Sequence, residues 1–440
     1  MTARQGLSPD VLDDLDWWTR PVSERDALFA WLRATDPRPF APELDLSGNP
    51  RGGGFWALTR MDDIREVSRR PDDFCSGKGI NIFDQPPGLK DYRGSFIDMD
   101  NPEHARLRRI VSRGFAAKSL EAIRDDVDRA AREIIGSVAD KGECDFVTEV
   151  AALLPLRIVN NMLGIPRSEE QFIFEQTNII MAASDSEYVS DQTPRGIARA
   201  VGAAGQRLAD LLHGLAEDRI KSPRGDLISL LVAATAEENL TPDELAAFFI
   251  LLVGAGNETT RNAIAHGLLA LTEFPGQRAL WQGDPATHTA RAVEEVVRWA
   301  SPVLHMRRTV TRDGVRLGDQ EFAAGDKVVL WYRSANQDED YFTDATAFDI
   351  TREPSPHVTF GSPGPHHTSV DSCATGNDQH MIDNHVLAES EQQRGSLFSF
   401  ASAQRSVGHH SYERIFEHRN VGIRIATAPK LRRFGWSIYR

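Results

Sequence analysis

One stretch restricts the fold of this chain more than any other. Between Thr241 and Pro275 nothing interrupts a helical pattern, and the run from Leu245 to Ala255, LAAFFILLVGA, is apolar on every face. Thr241-Pro242-Asp243-Glu244 opens it with an N-cap hydroxyl, a proline at the first helical position and a Glu three residues after the cap, the pattern of a capping box. The spacing predicts a helix of about 30 residues, roughly 45 Å long. A helix without a polar face must be covered by protein on all sides, so this one is expected at the centre of a large domain. Its apolar run is too short to span a bilayer, and no membrane anchor is expected.

Around it, helical periodicity recurs over Glu103–Phe115, Leu120–Val138, Val150–Leu163, Ala198–Arg219, Asp226–Ala236 and Thr287–Trp299. Strand patterns are few and cluster at Phe55–Leu58 and then at Arg307–Val310, Val315–Leu317 and Lys327–Trp331. No repeat of fixed period and no linker of Pro/Gly/Ser composition divides the chain. Residues 1–440 are therefore expected to form a single mainly α domain with small β-sheets. A net charge of −14 argues against nucleic acid as the main partner, because phosphate binding depends on Lys and Arg. The three cysteines, Cys75, Cys144 and Cys373, are too few for a disulfide framework. Together with an N-terminus lacking a basic-then-apolar leader, they predict a cytoplasmic protein.

In the middle of the central helix stands Ala255-Gly256-Asn257-Glu258-Thr259-Thr260. Gly, Asn and Thr are weak helix formers, and a buried Glu is costly unless something satisfies it. An acid beside an alcohol, with glycine leaving room, suits a site that relays protons to a ligand lying against the helix. From these six residues alone, a helix bend with a solvated Glu explains the run equally well.

The run resembles the oxygen-binding motif of cytochromes P-450, and other motifs follow in that family's order. Glu295-Val296-Val297-Arg298 is similar to the family's ExxR, and Phe348-Asp349-Ile350-Thr351-Arg352 to the segment whose Arg completes a buried Glu–Arg–Arg network. Alone, a Glu and an Arg three apart would be a surface ion pair; the order of motifs gives them their meaning. Met99 to Arg108 resembles the helix that meets the haem propionates, with His104 and Arg108 on one face. Arg308 matches a third propionate position. Gly325 to Asp338 and His357 to Gly361 match as well. The details resemble members that hydroxylate terminal methyl groups of sterols, branched lipids or terpenoids, and the likeness covers roughly residues 20 to 366.

The resemblance implies a cytochrome P-450 fold with a long central helix over haem b and its iron. It implies insertion of one oxygen atom into an unactivated C–H bond of a hydrophobic small molecule, with electrons from ferredoxin and ferredoxin reductase. Glu258 and Thr259 would deliver protons. His104, Arg108, Arg308 and His366 would hold the propionates, and Ala255, Phe360 and Gly364 would line the cofactor. On a helical wheel Arg106, Arg109 and Arg113 fall opposite His104 and Arg108, a basic stripe that could steer an acidic ferredoxin or be merely a solvated face.

The pattern fails after Phe360. The family's Phe-Gly-x-Gly-x-His-x-Cys-x-Gly supplies the iron's thiolate, but here Gly364, His366 and Thr368 align with Gly-x-His-x-Cys, with one extra residue after Phe360. Threonine thus stands at the metal-ligand position, and Cys373 lies five residues too late. Residues 367–440 do not match the family, lack apolar periodicity and hold six further histidines beyond His366. Two rivals to an active monooxygenase stay open: a haem-free auxiliary protein of this fold, and the inactive product of a frame-shifted gene.

Overall fold

The computed structural model describes residues 7–14, 16–43, 53–82, 84, 96–112, 117–141, 143–183, 185–238, 240–353 and 355–362. In chain order the helices are α1 (Val22–Thr35), α2 (Met61–Ser68), α3 (Glu103–Ser112), α4 (Ala117–Ala139), α5 (Leu153–Leu163) and α6 (Glu170–Met181). They continue with α7 (Pro194–Lys221), α8 (Leu227–Glu238), α9 (Pro242–Glu273), α10 (Pro275–Gly283), α11 (Pro285–Ala300) and α12 (Tyr332–Ala335). The strands are β1 (Phe40–Ala41), β2 (Phe55–Leu58), β3 (Phe74–Cys75), β4 (Met306–Val310), β5 (Val315–Leu317), β6 (Gln320–Phe322) and β7 (Lys327–Leu330).

The central helix is α9. It starts where the sequence predicts, with the Thr241 hydroxyl accepting from Glu244 N and the Glu244 carboxylate accepting from Thr241 N. Its first half is buried among α5, α6, α7 and α8 through residues such as Leu245, Phe249 and Val253. Its second half packs with α4, α5 and α11 around Ala263, Ile264, Val293 and Val297. At Gly267 a Cβ would lie 3.1 Å from a Val296 methyl, so the glycine lets α9 and α11 approach closely. One rod thereby joins two cores.

The main sheet has the order β1-β2-β7-β4-β3, antiparallel except for the β2–β7 pair. Arg308 lies opposite Val328, and Arg307 opposite Val329. Successive strand residues point to opposite faces, so the two arginines serve different sides of the sheet. A separate hairpin pairs β5 with β6. The sheet's core is contiguous with α2, and a second cluster joins α1 to Trp331 through Phe29, with centroids 5.3 Å apart, while Trp18 just before α1 stacks on Trp331 at 5.2 Å.

Several elements were not apparent in the apolar pattern. These are α1, α2, α6, α10, the one-turn α12, the strand β6 and the two-residue strands β1 and β3, the last four being runs too short to give periodicity. Lys327–Trp331 ends one residue early as a strand, since Trp331 caps α12. Val150 belongs to a π turn over Val147–Ala151 that precedes α5. Among the described residues no helix is long and apolar enough to cross a membrane.

Candidate active site

The midpoint of α9 buries Glu258 at 2% exposure, which excludes the solvated-Glu reading of the AGNETT run. Its carboxylate is held by the Arg261 guanidinium one turn on and by Asn262 Nδ2 at 3.2 Å. Arg261 in turn donates to Asn178 Oδ1 on α6 at 3.2 Å. Burial pushes the Arg261 guanidinium down to about 10, still cationic at neutral pH. The Thr259 hydroxyl donates to the Ala255 carbonyl at 2.8 Å, back-bonding that weakens the helix locally. Ala255 is half-buried, and Gly256 and Asn257 are buried beside it.

A second group of charges gathers where α3 meets β4. His104, Arg108 and Arg308 are all buried. Burial first, then the charge of Arg108, drives the His104 imidazole down to about 4, with Arg308 adding to the effect and Asp100 opposing it. The three side chains therefore sit within one another's fields. Arg308 Nη1 donates to the Arg307 carbonyl at 2.8 Å, and among the described residues no carboxylate pairs with Arg308. Two buried guanidiniums that both act on a buried imidazole have the chemistry to match the two carboxylates of a haem. The residues present fit that group.

Glu295, Arg298 and Arg352 meet in a third cluster. Arg298 forks onto Glu295 with Nε–Oε2 and Nη2–Oε1 distances of 2.7 Å, and Arg352 Nε reaches both oxygens at 3.2–3.3 Å. Asp349 N also donates to Oε1 at 2.9 Å. The remaining Arg298 donors go to the carbonyls of Asn336, Ala345 and Ala347. The network thus ties α11 to the segment between α12 and Arg352.

Asn336, which pattern alone did not single out as a structural post, fixes the loop that follows. Its Nδ2 donates to Ser301 Oγ and Thr359 Oγ1 at 2.9 and 2.8 Å, and its Oδ1 accepts from Val358 N at 2.8 Å. Phe360 is thereby packed into the core shared with α9 and α11. Gly361 follows at φ 88°, a left-handed position that glycine takes without penalty. Gly364, His366, Thr368 and Cys373 lie outside the described residues.

The basic stripe requires correction. Arg106 is part-exposed and forms an ion pair with Glu244 in the first turn of α9, so it is not a free cation of the stripe. The helical wheel placed Arg106 opposite His104 without knowing that another helix terminus packs there. Arg109 is exposed, and Arg113 lies outside the described residues. Arg261 was also missed, although a lone arginine one turn after a buried acid in an apolar helix is itself a signal.

Comparison with known proteins agrees with this geometry. Residues 54–279 match the family described as Cytochrome P450. The chain is 45% identical over 361 residues to a methyl-branched lipid omega-hydroxylase of Mycobacterium tuberculosis, covering 81% of this chain and 82% of that protein. It is 37% identical over 344 residues to a steroid C26-monooxygenase of Rhodococcus jostii, covering 77% and 70%. Among solved structures, a Mycobacterium marinum cytochrome P450 in complex with pseudoionone superimposes with a TM-score of 0.80 at 35% identity, covering 90% of this chain and 91% of that one. Motif order, fold and relatives agree: the chain belongs to the cytochrome P450 family of haem monooxygenases.

Proposed function

We propose that this protein hydroxylates a terminal methyl group of a sterol, branched lipid or terpenoid, using dioxygen and electrons from ferredoxin and its reductase in the cytoplasm. The observation that carries the cofactor reading is the buried cluster of His104, Arg108 and Arg308, which has the right chemistry for haem carboxylates. The substrate class rests on the printed activities of the lipid and steroid relatives. When bound, haem iron supplies the activation of dioxygen and the transfer of one oxygen atom to the C–H bond. His104, Arg108 and Arg308 would orient the cofactor by its carboxylates, His366 adding a fourth donor. Glu258 and Thr259 would pass protons along α9, Thr259 giving up its bond to the Ala255 carbonyl to present its hydroxyl.

A second reading is favoured by one observation, the threonine at position 368 where the family's thiolate stands. It makes the chain a haem-free auxiliary protein of this fold, or the inactive product of a frame-shifted gene. Haem content of the purified protein, assayed as the pyridine complex after supplementation, separates the two. Stoichiometric haem that falls in Arg308→Met supports the haem protein. Absence of haem uptake in the unmodified chain overturns it in favour of the second reading. Product analysis with methyl-branched lipids and with sterols then tests the substrate class, and turnover of neither would reject it.

A further inference from the structure

We propose that Arg307 is a positioning residue for the haem carboxylates, acting through a strap of residues 76–82 and Asp84 that links α3 to β4; the proposal rests on the haem reading of the cationic cluster. Arg307 itself points to the sheet face opposite Arg308 and is 3% exposed. Nη1 and part of Nη2 are spent on one short stretch of chain, while Nε finds no partner among the described residues. Nη1 reaches the Asn81 and Ile82 carbonyls at 3.2 and 3.4 Å and Asp84 Oδ1 at 2.7 Å. Nη2 reaches the Lys78 carbonyl at 3.3 Å and Thr309 Oγ1 at 3.2 Å. The Arg307 backbone N–H donates to the Ile80 carbonyl at 2.8 Å.

Lys327 closes the same end from the neighbouring strand, where it pairs in register with Thr309. Its Nζ meets Asp84 Oδ2 at 2.8 Å, the Ile82 carbonyl at 3.3 Å and both oxygens of Glu43 at 2.7–2.8 Å. Against the upward push of burial, hydrogen bonds from Lys327 and Arg307 hold the Asp84 carboxyl below its ordinary value. At the other end, Ser76 N and Gly77 N donate to the Asp100 carboxylate at 2.7 and 2.9 Å. The Asp100 carbonyl accepts from His104 N at 2.9 Å as α3 begins.

The strap therefore runs from the helix that carries His104 and Arg108 to the strand that carries Arg308. These elements are distant in sequence, yet their cations must meet the same pair of carboxylates. Without the Arg307 guanidinium, the buried carbonyl of Asn81 and the part-buried carbonyl of Lys78 lose a donor they share, and buried carbonyls without donors are expensive. The strap would then loosen, and α3 would lose its register with Arg308.

The test uses the full-length chain and its Arg307→Met, Arg307→Lys, Asp84→Asn and Arg308→Met variants, with two readouts. The first is amide hydrogen exchange over residues 76–82 and Asp84. The second is affinity for haemin and for haemin dimethyl ester, whose carboxylates are blocked, by absorbance titration. The native chain should prefer the diacid by about tenfold or more, the effect of one charge-assisted hydrogen bond. Arg307→Met should speed exchange in the strap and erase that preference, Arg307→Lys should restore part of both, and Arg308→Met should erase the preference with the strap still protected. Asp84→Asn removes one arm of the clasp at a half-exposed position and should give a smaller change of the same kind if Arg307→Met does not fold. A preference that is lost in Arg308→Met but kept in Arg307→Met overturns the proposal alone, as does unchanged strap exchange. Equal binding of both porphyrins by the native chain overturns the haem reading and the proposal together.

Discussion

Replacing Glu295 by Ala removes the anion on which Arg298 and Arg352 converge. Arg298, at 0% exposure, would keep the carbonyls of Asn336, Ala345 and Ala347 but lose its counter-charge, and Asp349 N would lose its acceptor. Stranding a buried partner in this way costs about 3–5 kcal/mol. The same helix supplies the control: Arg291 and Glu353 are also 2.7 Å apart, but their side chains are 41% and 65% exposed, and such a pair is worth at most about 1 kcal/mol. Distance is thus matched and only the surroundings differ. Urea unfolding followed by far-UV circular dichroism should place the Glu295→Ala midpoint roughly 1 M or more below the native one, taking a slope near 3 kcal/mol per M. Arg291→Ala should shift it by less than about 0.3 M, and Glu295→Gln, which keeps shape without charge, should fall between. Equal shifts for Glu295→Ala and Arg291→Ala would refute the claim that burial gives the network its strength.

The two readings part at the iron ligand: the hydroxylase requires a thiolate-type band in the reduced carbon-monoxide complex of the unmodified protein, which would implicate Cys373, whereas the second reading, with Thr368 at the family position, expects no such band and its recovery in Thr368→Cys. Burial depresses His266 and His104 to about 4 and His305 to about 3, so the unfolded chain takes up protons on them first. Their contribution is complete above about pH 6.5 and is lost as pH falls towards 4, on the order of 3 kcal/mol for His266. Thermal midpoints should fall over that window, less steeply in His305→Phe, whose ring can keep the stack on Trp331; a flat profile would reject this. Burial and the neighbouring Glu43 raise Asp13 to about 7. That preference for the protonated form is felt below about pH 4 and lost as pH rises through 7, so Asp13→Asn should raise the thermal midpoint at pH 8 more than at pH 5, and equal shifts would count against it.

The sequence disclosed most where a single strong physical demand acted on consecutive residues. The capping box at Thr241 and the all-apolar run after it could mean little except a buried helix, and α9 begins at Pro242 as expected. The meeting of Glu295 with Arg352 is different, since 57 residues separate them and only the order of motifs brought them together. Arg106 shows where one-dimensional reasoning stops: its wheel position is right, but its partner Glu244 belongs to another helix. Arg307 and Asn336 were quoted only as parts of matching strings. Their importance lies in backbone carbonyls and amides gathered from distant loops, and no side-chain pattern encodes those acceptors.

The ion pair between Glu258 and Arg261 has a consequence for timing. A carboxylate engaged by a guanidinium and an amide on its own helix has part of its acceptor capacity taken, and a new partner competes with both until a contact opens. In the proposed hydroxylase, proton supply would then be metered by how often Arg261 lets go. Arg261 is also bonded to Asn178, so the position of α6 would bias that frequency. Turnover would show a solvent isotope effect that changes when Asn178 is replaced, because the clock lies in the latch and not in the acid.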